Sequence, residues 1–99
     1  MKIYISGSIS DNPNYKKQFS DAEAKLIFLG HAVVNPADKN MGFSYKEYID
    51  MDLVQLMHCD AIYMLDGWGN SKGALLEHAY ALTVGMKIYK ESDFFENES

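Results

Sequence analysis

The segment D-A-I-Y-M-L-D-G-W-G-N-S-K-G-A-L-L-E-H-A-Y-A-L-T-V-G, Asp60 to Gly85, decides the fold. Its opening run, Asp60 to Leu65, is almost continuously apolar, as a strand buried on both faces of a sheet must be. The run D-G-W-G-N-S is turn chemistry. Beyond it the spacing predicts a helix from about Lys72 to Val84, with Gly85 as the stop and M-K-I-Y-K as a further strand. A strand, a glycine-rich loop, a helix and another strand at this spacing form a right-handed crossover between parallel neighbours.

The rest of the chain repeats the pattern. K-I-Y-I-S, Lys2 to Ser6, is a β-branched and aromatic run that empties into the loop S-G-S-I-S-D-N. Asn12 before Pro13 predicts an N-cap with proline at the first helical position. Phe19, Ala22, Leu26 and Leu29 then recur at helical spacing until Gly30. H-A-V-V-N-P, His31 to Pro36, is a second strand, and A-D-K-N-M-G-F an exposed loop. Ser44 and Glu47 have the spacing of a capping box that opens a second helix, with Tyr45, Ile49, Leu53 and Leu56 as its apolar face. The expected architecture is α/β: a three-layer sandwich around a four-stranded parallel sheet of order 2-1-3-4, of the flavodoxin or Rossmann kind. Strands 1 and 3 are then neighbours whose connections leave in opposite directions, so a crevice opens beyond their carboxyl ends. Two loops border it, S-G-S-I-S and D-G-W-G-N-S-K-G.

Composition limits what such a crevice can serve. The chain has 99 residues, 47% hydrophobic, enough for one compact domain with a small core. Residues 1–90 are expected to form that domain and 91–99 an acidic tail, whose Phe94 and Phe95 can dock on the body or on a partner. A net charge of −5 lacks the basic footprint that a nucleic-acid polymer requires. No apolar run has the length of a membrane span, and the N-terminus does not read as a signal peptide. A lone Cys59 fits a reducing cytoplasm and a buried small hydrophobe. His31, His58 and His78 have no metal-ligand spacing with it, so neither metal nor cofactor is expected.

The residues that can carry chemistry lie around the crevice. Glu77 falls on one helical stripe with Gly73 and Ala81. It is either a boundary glutamate helped by the helix dipole or a carboxylate aimed at a ligand that small neighbours let approach. Asp52, three residues after Ile49, intrudes at the edge of an apolar stripe, where an unpaired charge is costly. Two carboxylates facing one cleft raise one another's pKa, which separates a nucleophile from a proton donor. The alternative for Asp52 is a solvated helix edge. Ser6, Gly7, Ser8 and Ile9 form a loop whose amides and hydroxyls suit a phosphate or a sugar hydroxyl. Ser71 and the Gly73 amide offer a second anion contact, although serine is also a common N-cap. Trp68 can stack on a nucleobase or cover the sheet edge, and Tyr4 shares that ambiguity. Asp66, closing strand 3, stands where receiver domains carry a phosphoacceptor, but Ser-Gly-Ser replaces the acidic pair that would hold magnesium. Neither G-x-G-x-x-G nor a P-loop is present.

Three blocks, I-Y-I-S-G-S-I, Y-I-D-M-D-L-V-Q-L-M-H-C-D and D-G-W-G-N-S-K-G-A-L-L-E-H-A-Y-A-L-T-V-G, together resemble the nucleoside 2-deoxyribosyltransferase-like superfamily, in particular its short phage and bacterial members. The resemblance implies that Glu77 attacks the anomeric carbon of a nucleoside or nucleoside 5′-monophosphate to give a glycosyl-enzyme ester, which water or a second base resolves. It implies that Tyr4 orients the nucleophile and that Asp52 acts on the sugar or in proton transfer. Gly7 and Ser8 match the loop that closes around sugar and phosphate. Ser71 resembles the serine of the family's nucleotide N-glycosidases, where base-exchanging members carry aspartate. Ser10, by contrast, replaces the arginine that usually follows G-S-I in those hydrolases. The resemblance therefore leaves two functions open: an N-glycosidase or deoxyribosyltransferase, or an inactive module that holds a nucleotide as a sponge or sensor. A homodimer through the second and third helices is expected because so small a sheet leaves apolar helix surface uncovered.

Overall fold

The computed structural model describes residues 1–37 and 42–93. Four strands, β1 (Lys2–Ser6), β2 (Ala32–Val34), β3 (Ala61–Met64) and β4 (Lys87–Lys90), alternate with three helices, α1 (Tyr15–Phe28), α2 (Tyr45–Met57) and α3 (Lys72–Val84). The sheet has the order β2-β1-β3-β4, and every pairing is parallel, as expected from the right-handed crossovers. β1 and β3 are in register from Ile3 opposite Ala61 to Ser6 opposite Met64.

Side chains alternate across a strand, so the two central strands build two different faces. Ile3 and Ile5 of β1 and Ala61 and Tyr63 of β3 pack with Phe19, Ala22 and Leu26 of α1. Tyr4, Ile62 and Met64 pack on the other side with Leu56 and Cys59 and with Ala74 and Ala81 of α3. Burying side chains the size of Phe19 or Leu26 contributes roughly 1.5–3 kcal/mol each. The Cys59 thiol donates to the Gln55 carbonyl at 3.3 Å, and burial pushes its pKa up.

Helix ends explain most of the boundaries. α2 opens with the expected capping box: Ser44 Oγ accepts from the Glu47 amide at 3.2 Å, and Glu47 Oε1 accepts from the Ser44 amide at 2.9 Å. Gly85 ends α3 in the left-handed region at φ 73°. α1 differs from expectation. Asn12 is not its N-cap, because the helix begins at Tyr15 with Asn14 in the capping position. Asn12 instead forms an Asx-type turn, its Oδ1 accepting from the Asn14 amide at 3.1 Å, so Pro13 lies in the turn rather than in the helix.

The chain after β4 continues as a helical turn over residues 91–93. Glu91 Oε1 accepts from the Asp66 amide at 2.8 Å and from Gln18 Nε2 at 3.1 Å, tying this turn to α1 and to the end of β3. Residues 94–99 of the acidic tail, Phe94 and Phe95 among them, lie outside the described residues, as do residues 38–41 of the exposed loop after β2. Among the described residues no helix is long and apolar enough to cross a membrane. Several apolar side chains of α2 and α3 face solvent, with Val54 at 54%, Met57 at 58% and Leu82 at 61% exposure.

Candidate functional site

The parallel order places the carboxyl ends of β1 and β3 side by side, and a cavity of about 530 Å³ opens there. Each wall follows from a local rule. On β1 the same two-residue alternation that sends Ile3 and Ile5 to α1 sends Tyr4 and Ser6 to α3. On α2, Tyr45, Tyr48, Ile49 and Asp52 fall on one stripe and all line the cavity. On α3, Gly73 and Glu77 are one turn apart, and Ser71 caps the helix by accepting from the Ala74 amide at 3.2 Å.

Two glycines are set by close approach. A Cβ on Gly7 would meet Leu65 Cβ at 2.9 Å, so the loop after β1 can cross the end of β3 only without a side chain. A Cβ on Gly73 would stand 3.1 Å from Ile49 Cδ1, where α2 and α3 come together at the cavity.

The cavity floor is polar and tightly organised. Glu77, only 6% exposed, accepts from Tyr4 Oη through Oε2 and from Ser6 Oγ through Oε1, both at 2.6 Å. Bonds of this length to a carboxylate are charge-assisted and stronger than neutral ones. Burial, followed by the nearby charges of Glu77 and Asp52, holds the Tyr4 phenol protonated far above the ordinary tyrosine range, so it remains a donor. Asp52 therefore acts electrostatically on the same cluster from the α2 side. The cluster has no buried side-chain nitrogen or oxygen without a partner, in keeping with the rest of the described residues.

Aromatic rings line the opening. Phe43, Tyr45 and Tyr48 all border the cavity, with Phe43 and Tyr48 edge to face at 5.9 Å. Ser8, Ile9, Ser10 and Asp11 of the first loop and Asn70, Ser71 and Lys72 of the second complete it. Lys72 is the sole cationic side chain among the described lining residues, against the carboxylates of Asp11, Asp52 and Glu77. Chemically, this is a buried carboxylate held by two hydroxyls, a second carboxylate facing the same space, and a rim able to take a flat ring.

Of the residues singled out from the sequence, Tyr4, Ser6, Gly7, Ser8, Ile9, Asp52, Ser71, Gly73 and Glu77 all come together around this cavity. Two lie elsewhere. Trp68 is not among the described lining residues; it stacks on His78 with centroids 4.4 Å apart and planes 27° apart, and packs on the α3 side of the sheet. Asp66 borders a smaller cleft of about 250 Å³ together with Ser8, Asp11, Asn12, Gln18, Gly67 and Asn70. Phe43, Tyr48, Asp11 and Lys72 also line the cavity although no motif marks them, and so do Tyr45 and Ile49, expected on the apolar face of α2. The helical spacing 45, 48, 49, 52 carried that information. The first half of α2 overhangs the crevice instead of the sheet, so its stripe faces a cavity, and Tyr45 is 63% exposed. Among the described residues no three His, Cys, Asp or Glu side chains are grouped to hold a metal ion.

Comparison with known proteins agrees with this topology. No curated protein matches the chain. Among solved structures, a 2-deoxyribosyltransferase from the psychrotolerant bacterium Bacillus psychrosaccharolyticus is similar with a TM-score of 0.69 and 22% identity, over 91% of this chain and 71% of that one. A likeness at that identity is one of fold. It agrees with the nucleoside 2-deoxyribosyltransferase-like architecture expected from the sequence. Residues 1–90 match the model of the domain of unknown function DUF4406, and the chain belongs to that family.

Proposed function

We propose that this protein cleaves the N-glycosidic bond of a nucleoside or nucleoside 5′-monophosphate, as a glycosidase or deoxyribosyltransferase, with Glu77 as the nucleophile. One observation carries the reading: a glutamate on the cavity floor is held through both oxygens by Tyr4 and Ser6 at 2.6 Å. A helix-surface glutamate needs no such clamp, whereas a nucleophile must be oriented before it can react. The base lies against the rings of Phe43, Tyr45 and Tyr48, and the sugar lies between the first loop and Glu77. Glu77 attacks the anomeric carbon, Asp52 supplies the proton that the departing base needs, and water or a second base resolves the ester. Ser8 and Ser71 hold sugar hydroxyls or a phosphate at the loop mouths. The charge of the cavity favours the unphosphorylated nucleoside, because Lys72 alone offsets Asp11, Asp52 and Glu77 among the described lining residues.

Residues 1–90 act as the working domain, in the cytoplasm, and two copies associate through the exposed apolar faces of α2 and α3. Sedimentation showing only monomer at low micromolar concentration overturns that association. A second reading, a module that holds the same ligand without turnover, is favoured by the absence of arginine from the entire chain, Ser10 included. One chromatographic screen separates the two. Deoxynucleosides and their 5′-monophosphates are incubated with the protein, with and without a second base, and free base is measured. The glycosidase reading expects release, faster from nucleosides than from monophosphates. Binding without release from any of them establishes the module.

A further inference from the structure

Ser6 lies on the floor of the cavity, 1% exposed, as the last residue of β1. Tyr4, two residues earlier, is fully buried. Both point to the α3 face, with Cα atoms about 6.6 Å apart at 3.3 Å per residue. β1 runs toward the crevice, which puts Ser6 at the open end and Tyr4 at the closed end. The Glu77 carboxylate spans them with a different oxygen on each.

We propose that Ser6 is a positioning residue for Glu77 and that the two hydroxyls divide the carboxylate, Tyr4 anchoring Oε2 while Ser6 holds Oε1, the oxygen that attacks. The proposal rests on the glycosidase reading and deepens it. Oε1 takes the attacking role because its donor belongs to the last residue of β1, at the crevice end of the strand. The Tyr4 hydroxyl is fixed by a buried ring, whereas a serine hydroxyl turns about a single bond and can let go. When an Oε1 lone pair bonds to the anomeric carbon, the bond from that carbon to the base nitrogen breaks, and its electron pair leaves with the base, which takes a proton from Asp52. Oε1 becomes the ester oxygen and loses its charge, so Ser6 releases it. Oε2 becomes the ester carbonyl oxygen and keeps the Tyr4 bond. When water attacks the same carbon, giving its proton back to Asp52, the electron pair returns to Oε1 and Ser6 re-engages.

Among the described residues, the charged and titratable groups that line the cavity with Glu77 are Tyr4 from β1, Tyr45, Tyr48 and Asp52 from α2, Lys72 from the first turn of α3 and Asp11 from the first loop. Each is unchanged in Ser6→Ala, so a difference in titration belongs to the lost hydroxyl. The test uses full-length protein with carboxyl-labelled glutamate, followed by carbon-13 NMR against pH, the Glu77 signal being assigned by its loss in Glu77→Gln. A hydrogen bond to a charged acceptor is worth one to two pH units in its pKa, so Ser6→Ala raises the Glu77 midpoint by at least about one unit. In base release kcat falls about tenfold, KM changes by less than about threefold, and the acid limb of the profile moves up with the NMR midpoint. Ser6→Thr restores the hydroxyl and with it both quantities. Melting temperatures identify a variant that has lost its fold, and if the threonine variant has done so, the alanine titration decides. A midpoint unmoved by Ser6→Ala, with base release intact, overturns the proposal and leaves the glycosidase reading standing. No base release by the wild type at any pH overturns that reading, and with it the attacking role of Oε1, whatever the midpoint does.

Discussion

The two faces of the same pair of strands differ: both carry an apolar cluster, and the α3 face adds a buried polar one. On the α1 face, Ile3, Ile5 and Tyr63 meet Phe19, Ala22 and Leu26, an apolar contact in which every side chain fills space. On the α3 face, Tyr4 and Ser6 meet Glu77, a polar cluster in which every hydrogen-bonding atom is matched. Both are buried to a few per cent exposure. Burial alone therefore does not mark a core. A buried carboxylate is tolerated only where donors have been placed for it, and such placement is cheaper to omit than to build unless the carboxylate has a task.

Substitutions can break this contrast, beginning on the apolar face. Phe19→Ala should lower stability by about 3–5 kcal/mol through lost burial and the cavity left behind. Denaturant unfolding measures it, and a loss below about 1 kcal/mol would mean that α1 is not what holds the sheet. Next in size is Gly7→Ala, which drives a Cβ against Leu65 Cβ at 2.9 Å and should cost about 1–3 kcal/mol by forcing the first loop off the end of β3. Because that loop borders the cavity, base release should fall as well. A thermally unaltered and fully active variant would show that the loop is free to shift.

A smaller effect sharpens the polar side of the comparison. The Tyr4 pKa is raised by burial and by the charges of Glu77 and Asp52, so the fold favours the protonated phenol. The stability this contributes is complete below the unfolded tyrosine pKa of about 10 and is lost as the pH rises above it. Tyr4→Phe removes that component, so the slope of its stability against pH above about pH 10 should be shallower than that of the wild type. Equal slopes would place the phenol in water.

What was legible in the sequence divides along the same line. The strands and their order could be read from K-I-Y-I-S and D-A-I-Y-M-L, because β-branched and aromatic runs separated by helix-length crossovers admit few topologies. Glu77 and Tyr4 could be singled out, and the family resemblance implied their contact, but spacing alone could not, since 73 residues separate them and only the folded sheet brings them together. The link from Gln18 through Glu91 to the Asp66 amide was illegible for the same reason. For Trp68 a tryptophan in a glycine-rich loop leaves a nucleobase contact and a cover for the sheet edge equally open, and the turn carries it onto His78. The stripe of Tyr45, Tyr48, Ile49 and Asp52 was visible as a helical face. Whether a face meets core or cavity depends on how far the helix overhangs the sheet, which periodicity does not encode.

The most direct test of the account compares base release by the wild type and by Glu77→Ala from the deoxynucleoside that the screen identifies, with melting temperatures recorded on the same preparations. The alanine variant should lose at least about 10²-fold in turnover, while its melting temperature shifts by only a few degrees. An alanine variant that melts far below the wild type yet releases base at the same rate per folded molecule would contradict it, and would make the clamp of Tyr4 and Ser6 a device that holds the fold together.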